Sequence, residues 1–200
     1  MVFRDIVTQR FAAKKFDERK IAEKTVWELI ELIRFAPSAF NLQPWKIKVI
    51  SDQEVKDVLS EVTPGGREQV RSCSHLLVFC ANTDTNKLIE KTSEALKKMG
   101  PLDSLQTVML STAKRVTGEM SLEAKTEWAK CQVFLALGNA VNGATALGFD
   151  SCPMTGFNRS EYSRILAIPD SLIPTVLCAL GYGIERPLFK LRFPAEDLLL

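Results

Sequence analysis

The most constraining feature of this sequence is the run VFLALGNAVNGATALGF, residues 133–149, which is mostly apolar and approaches membrane-span length. Asn139 and Asn142 interrupt the run. Small residues recur every four positions along it, at Ala136, Ala140, Ala144 and Gly148. Residues four apart share one face of a helix, and small side chains there let a second helix approach closely. The run therefore predicts a buried packing helix in preference to a membrane span.

The patterns around this run predict a layered domain of helices and strands. Apolar residues at helical spacing predict shorter helices at 3–9, 23–35, 54–62 and 160–166. Strands are expected at 45–50, 76–81 and 172–183, the first half-exposed because WKIKVI alternates and the others buried because they are continuously apolar. PGG at 64–66 is expected to be a turn, GGREQV a loop, and DSCPMTGFN at 150–158 a further loop. These elements predict one α/β or α+β domain over residues 1–200.

Two segments fall outside this layered core. Residues 85–125 are charged and helical, with breaks near Gly100–Pro101 and Gly118, and could form a surface lid. Residues 185–200 read as an extended tail that ends in three leucines.

Composition excludes several classes of function. A net charge of +2 argues against a general binder of nucleic acid or membrane surfaces. Five scattered cysteines without a CxxC pair indicate reduced thiols in a cytoplasmic protein, and the N-terminal MVFRDIVTQR lacks the apolar core of a signal peptide. Metal-ligand spacing is absent, and no metal is expected. The lone histidine, His75, abuts an apolar strand and is expected to be structural, so an enzyme here would depend on an organic cofactor.

The stretch FAPSAFNLQPW, residues 35–45, shows where such a cofactor could bind. A helix stops at Pro37, and Ser38, Asn41 and Gln43 then present compact polar groups before the next strand. Basic residues also cluster in QRFAAKKFD and FKLRFP, where Lys190 and Arg192 are two apart and share one face of an extended chain. From charge alone, these cations would be interpreted as a solvated basic edge.

The combination of RFAAKKFD, APSAFNLQPW, CPMTGF and KLRFP, in this order and at these separations, resembles the nitroreductase family of flavoproteins. The resemblance covers nearly the whole chain and is weakest over about 85–125. It implies an α+β sandwich in which a central, mostly antiparallel sheet is covered by helices. It also implies an intertwined homodimer with FMN at the interface and the 185–200 tail lying on the partner subunit.

The resemblance assigns residues to each part of the flavin. It implies that Arg10, Lys190 and Arg192 hold the phosphate, which suits a dianion that needs several positive donors. Lys14 would lie beside the pyrimidine end of the ring, where a cation stabilises the charge that gathers on reduction. Thr155 and Gly156 would offer a backbone N–H to flavin N5, and Gly156 allows close approach to the ring.

The remaining implied site residues include several departures from the family pattern. The partner-facing loop comprises Pro37, Ser38, Ala39 and Asn41, with Gln43 bracing it, and Phe40 would narrow the substrate pocket. Phe11, Ala12, Gln69 and Met154 complete the implied cofactor site. Ala12 stands where many members have a small hydroxyl residue, and can offer the phosphate only its backbone. Gln69 and Thr155 replace charged residues of some members, which could shift the redox potential.

The resemblance thus implies an enzyme that transfers hydride from NADH or NADPH through flavin N5 to a small-molecule acceptor, such as a nitroaromatic or a quinone. No side chain need act as acid or base. Two alternatives stay open. One is a family relative with other chemistry, such as flavin reduction, flavin fragmentation or reductive dehalogenation. The other is a flavin-binding or storage protein without turnover.

Overall fold

A four-stranded antiparallel sheet forms the centre of the molecule, and helices lie on both of its faces. The computed structural model describes residues 2–200. Its strands are β1 (Trp45–Ile50), β2 (His75–Asn82), β3 (Asp150–Met154) and β4 (Leu172–Gly181). Its α-helices are α1 (Phe3–Gln9), α2 (Glu23–Arg34), α3 (Gln53–Glu61), α4 (Arg67–Ser72), α5 (Thr85–Met99), α6 (Ser104–Gly118), α7 (Leu122–Ala146) and α8 (Arg159–Ile165). The predicted α+β sandwich is confirmed.

The strands lie in the order β1-β2-β4-β3, and every neighbouring pair is antiparallel. β2 and β4 are therefore central, whereas β1 and β3 are the two edges. Alternate side chains of the central strands enter two separate hydrophobic clusters, one against α2 and α7 and the other against α3, α4 and α8. Burial on both faces explains why these two strands are continuously apolar in the sequence.

Helix α7 packs against α2, and the stripe of small residues in α7 is buried. The fully buried members are Ala136, Ala140 and Ala144. A Cβ added at Gly143 would lie 2.8 Å from Cδ1 of Leu29, so the two backbones approach closely. Gly148, at φ +86°, ends the helix rather than continuing the stripe. The predicted packing helix is confirmed, and within residues 2–200 no helix is long and apolar enough to span a bilayer.

The charged segment 85–125 forms helices as predicted, and its breaks fall where expected. Helix α5 ends at Met99 and α6 ends at Gly118. Leu88 of α5 and Ala113 of α6 form a small buried cluster with Leu42, which follows the loop after α2. The pair α5–α6 is therefore attached to the molecule next to that loop.

Two elements differ from the sequence prediction. Residues 150–158, expected to form a loop, begin with the strand β3. Pro153 lies inside it, which β3 tolerates because it is an edge strand. The GGREQV segment, also expected to be a loop, contains the start of α4, whose Val70 is fully buried. The predicted bounds of α1 and β1 match the structure, and the other short helices and strands differ from the prediction by one or two residues at their ends.

The tail after Ile184 contributes little to this core. Apart from a short 3-10 turn at Ala195–Leu198, it contains no helix or strand within the described residues. Its exposed apolar side chains are Leu188, Phe189, Leu191, Phe193, Leu198, Leu199 and Leu200. Within the described residues of one chain these side chains stay exposed, and we refer to residues 188–200 as the apolar strip.

Candidate functional site

The segment Arg10–Lys14 runs beside strand β3 and forms the frame of the candidate site. Ala12 pairs with Ser151 in a parallel bridge, and the N–H of Ala13 donates to the carbonyl of Ser151 at 3.2 Å. Phe11 and Ala13 are buried in the cluster beneath the sheet. Ala12 is half-buried against the same cluster, whereas Lys14 is exposed.

Four cations meet at this segment without acidic partners. None of Arg10, Lys14, Lys190 and Arg192 is within 4.0 Å of a carboxylate oxygen in the described part of the chain. Partial burial and the positive charges of Arg10 and Arg192 lower the pKa of Lys190. These positive charges repel one another and no carboxylate neutralises them. An anionic ligand is therefore expected to bind favourably at this position.

Lys190 has a second role in this structure. Its ammonium donates to the carbonyls of Val7, Thr8 and Arg10 at 2.7, 3.3 and 2.6 Å. These carbonyls belong to the last turn of α1 and the residue after it, where a cation satisfies groups that the helix leaves unpaired. The three donors of the ammonium are therefore used, and Lys190 ties the tail to Arg10.

Two glycine-containing turns pack together beside the cations. A Cβ added at Gly65 would lie 3.7 Å from the carbonyl oxygen of Gly156, and one added at Gly66 would lie 2.3 Å from Sδ of Met154. The N–H of Gly156 has no acceptor within residues 2–200 and is exposed. Gly65 and Gly66 were predicted only as a turn, and nothing in the sequence shows that they support Met154 and Gly156.

Gln69 and Cys152 connect these turns to the cations. Gln69 is buried on α4 and lies beside the thiol of Cys152, whose Sγ donates to the carbonyl of Pro153 at 4.0 Å. Burial raises the pKa of that thiol, while the positive charges of Lys14 and Arg10 and the neighbouring Gln69 act to lower it. The electrostatic influence of both cations reaches β3, so the structure brings residues 10–14, Gln69 and 152–156 together.

The loop 37–43 has a strained backbone. Phe40, Asn41 and Gln43 have φ values of +54°, +52° and +47°, which non-glycine residues rarely adopt. The side chain of Gln43 donates to Oδ1 of Asn41 at 3.2 Å, and its N–H donates to Oγ of Ser38 at 2.9 Å. Gln43 thus braces the loop, as expected. Strain of this kind persists only where the surroundings enforce it, and it concentrates at functional sites.

The loop 37–43 does not reach the cations of its own chain. It leads directly into β1, whereas Arg10–Lys14 runs beside β3, and β2 and β4 lie between those two edges. Four strand spacings, from β1 to the segment Arg10–Lys14 beyond β3, correspond to about 19 Å. Outside itself, the loop is held by Gln132 of α7, whose Oε1 accepts the N–H of Ala39 at 2.9 Å. Pro37, Ser38, Ala39 and Asn41 are therefore not part of the same cluster within one chain.

Phe40 and His75 have well-defined surroundings. Phe40 is half-buried and packs against the cluster of Leu42, Leu88 and Ala113 beneath α5 and α6. The ring of His75 is buried, with Nδ1 at 2.9 Å from Oγ of Ser74 and Nε2 at 3.1 Å from Oε1 of Glu23. Both ring nitrogens have partners, so the prediction of a structural histidine is confirmed.

The fold is an α+β sandwich in which one four-stranded antiparallel sheet is covered by helices. Along one edge of the sheet lies a group of cations without carboxylate partners, and this edge is suited to holding an anionic ligand. Residues 7–182 match the model of the nitroreductase family, and the chain belongs to that family of oxidoreductases. The family predicted from the motifs is thereby confirmed.

Individual relatives agree over almost their whole lengths. A proposed NAD(P)H nitroreductase of Staphylococcus haemolyticus is 29% identical over 201 residues, which cover 95% of this chain and 92% of the relative. The crystal structure of a proposed nitroreductase from Bacillus subtilis has a TM-score of 0.90 at 28% identity, covering 99% of this chain and 97% of that one. A proposed nitroreductase of Exiguobacterium sibiricum, solved in complex with FMN, shows the same fold, with a TM-score of 0.89 at 20% identity and coverage of 100% and 96%.

Proposed function

We propose that this protein is an FMN-dependent oxidoreductase that passes hydride from NADH or NADPH to a small acceptor such as a nitroaromatic or a quinone. Family membership supports the class of reaction, and the names of relatives support the electron donor. The observation that carries the cofactor assignment is the group of four cations without carboxylate partners. A terminal phosphate supplies the missing negative charge.

The phosphate would be held by Arg10 and Arg192. Arg192 is exposed, and its Nη1 donates only to the neighbouring carbonyl of Leu191, so its guanidinium can turn to a ligand. Lys190 contributes charge, but its donors are already used by the carbonyls that include Arg10. We therefore assign Lys190 to positioning Arg10 and to the electrostatic field, rather than to a direct bond.

The ring end of the flavin would lie between Lys14 and the Thr155–Gly156 turn. FMN, when bound, supplies the atom that accepts and releases hydride, N5 of the ring. The free N–H of Gly156 offers that atom a donor, and the Gly65–Gly66 turn keeps side chains away from the approach. Lys14 supplies positive charge for the negative charge that develops on reduction. His75 takes no part, because both of its ring nitrogens have partners.

A second copy of the chain would complete the site. The strained loop 37–43 leads into β1, about 19 Å across the sheet from the cations of its own chain, which supports a role for Ser38 and Asn41 against the partner's flavin. The uncovered apolar strip of residues 188–200 supports a tail that lies on the partner subunit. Helices α5 and α6, which pack on Phe40 and Leu42, would then form a lid over that shared pocket.

The first experiment tests cofactor and turnover together. Flavin released by heat should chromatograph as FMN, and anaerobic NADH or NADPH should bleach the yellow protein, after which an acceptor should restore the colour. A yellow protein that neither nucleotide bleaches would instead be a flavin carrier. A panel of nitroaromatics, quinones, free flavins and halogenated aromatics then distinguishes the acceptor classes.

Two variants test separately which residue anchors the phosphate and which residue adjusts the redox potential of the ring. Arg192→Ala removes one charge-assisted hydrogen bond, worth roughly 1.5–3 kcal/mol, so FMN affinity should fall about tenfold to a hundredfold or slightly more. The potential of the bound flavin should barely change. Lys14→Ala should weaken binding modestly but lower the potential. Titration of FMN and equilibration with a reference dye measure both quantities, and the opposite pattern would show that the two roles are wrongly assigned.

The assembly has its own test. Light scattering of the flavin-loaded protein should give about twice the chain mass of 22.3 kDa. Ser38→Ala and Asn41→Ala should weaken FMN binding although neither residue is near the cations of its own chain. A monomer saturated with FMN would contradict the shared site.

A further inference from the structure

A cleft lies between helix α5 and the beginning of strand β1. Its volume is about 420 Å³, which is within the size range of small-molecule sites in proteins. Asn41 and Gln43 of the strained loop border it. The segment Arg10–Lys14 runs beside β3, at the opposite edge of the sheet, so the cations of that segment take no part in this cleft.

One wall of the cleft is the apolar stripe of α5, which is covered at one end of the helix and open at the other. Leu88, near the start of the helix, is buried, Leu96 is half-buried, and Met99 at the end of the helix is 87% exposed. Leu42 and Trp45, both buried, form the facing wall. The open end of the stripe therefore offers apolar surface that a ligand could cover, and removing such surface from water favours binding.

Two lysines give the cleft an uncompensated positive charge. Lys46 of β1 and Lys91 of α5 both line it, and no aspartate or glutamate does. Neither lysine lies within 4.0 Å of a carboxylate oxygen in residues 2–200. The neighbouring cleft between α2 and β1 shares Lys46 but includes the carboxylate of Glu23. The cleft beside α5 is therefore suited to an anion.

We propose that this cleft binds a small organic anion with an apolar body, such as an aromatic carboxylate. The carboxylate would lie at Lys46 and Lys91, and the rings would lie against Leu96 and Met99. Lysine ammonium groups act as point charges and impose no bidentate geometry, so the apolar wall selects the body of the ligand. Both walls and both lysines belong to one chain, so this site does not depend on the proposed function.

The experiment measures binding of 2-naphthoate to the full-length protein by calorimetry, with excess FMN present to occupy the proposed phosphate site. The wild type should bind 2-naphthoate more tightly than the uncharged 2-naphthalenemethanol, and added salt should remove the difference. Lys46→Gln and Lys91→Gln should each raise the Kd for 2-naphthoate about twofold to fivefold, as for an exposed ion pair. The matched control is Lys98→Gln, because Lys98 is exposed on the same helix outside the cleft, and its Kd should be unchanged.

A steric variant tests the location independently of charge. Ala95 is exposed and lines the cleft, so Ala95→Trp should abolish binding of both naphthalene compounds while the melting temperature stays near that of the wild type. Unchanged binding in Ala95→Trp, or an equal Kd in the wild type and both lysine variants, would place the probe elsewhere and overturn the proposal.

The remaining outcomes keep this proposal and the proposed function apart. A wild type that does not bind 2-naphthoate at millimolar concentration overturns the anion site, and this includes the case in which the tail of a second copy fills the cleft. A wild type that takes up no FMN overturns the proposed function instead. The comparison of Lys46→Gln and Lys91→Gln with Lys98→Gln still tests the cleft in that case, because none of these lysines belongs to the proposed flavin site.

Discussion

Replacing Lys190 by methionine tests whether this lysine caps α1 or binds phosphate directly. Methionine keeps most of the alkyl stem but removes the ammonium, so the carbonyls of Val7, Thr8 and Arg10 lose their shared donor. A hydrogen bond to a charged group contributes about 1.5–3 kcal/mol. These three bonds share one half-exposed ammonium, and water can replace it, so we expect a total loss of about 1–2 kcal/mol.

For a chain of this length, each kcal/mol shifts the melting temperature by about 2–4 °C. Lys190→Met should therefore lower the melting temperature of the flavin-free protein by about 2–8 °C, measured by circular dichroism. The apoprotein is used because bound FMN stabilises the native state by itself. Arg192→Ala is the matched control, since Arg192 donates only to Leu191, and its removal relieves repulsion. Its apoprotein should melt at or slightly above the wild-type temperature.

If Lys190 caps α1, the melting temperature of Lys190→Met is lowered even in the flavin-free protein. If Lys190→Met melts like the wild type and loses only FMN affinity, the ammonium is a direct phosphate ligand and its bonds to the three carbonyls are not significant. Equal destabilisation by Arg192→Ala would show that the two residues are not distinguished by their contacts.

Three further predictions concern packing, thiols and pH. Gly143→Ala should destabilise the protein by about 1–3 kcal/mol relative to Gly138→Ala in the same helix. The added methyl group meets Leu29 at position 143 but open space at position 138. Paired thermal melts measure the difference, and equal stabilities of the two variants would contradict it. A thiol reagent should label at most one cysteine in the native chain, the exposed Cys131, and all five after denaturation, so faster native labelling of a second thiol contradicts the burial. FMN affinity should fall as pH rises through the lowered pKa of Lys190, since the neutral amine no longer attracts phosphate, and Lys190→Met should lack that step.

The sequence predicted the fold well wherever one periodicity governs a whole element. Residues 23–35 repeat apolar side chains at helical spacing, and WKIKVI alternates, so both assignments hold. β3 was missed because five residues containing Pro153, followed closely by Gly156, look like a loop when the pairing strand is unknown. Its partner β4 comes after the intervening α8, and only the three-dimensional pairing makes 150–154 a strand.

The candidate site, like β3, could be predicted only in part from the sequence. The motifs identified the cations and the 155–156 turn, and the structure places residues 10–14, 152–156 and 190 together. The sequence could not predict that Lys190 donates to the carbonyls at the end of α1, because charge alone does not reveal which acceptors a lysine will contact.

The bond between Lys190 and Val7 joins residues 183 positions apart. During translation, α1 leaves the ribosome well before the lysine that caps it. Because a contact so distant in sequence forms only after the intervening chain is available, the nascent protein cannot bring Arg10 and Arg192 together until the tail after Ile184 has been synthesised. We therefore expect a nascent chain that stops within α7 or β4 to lack the proposed phosphate anchor.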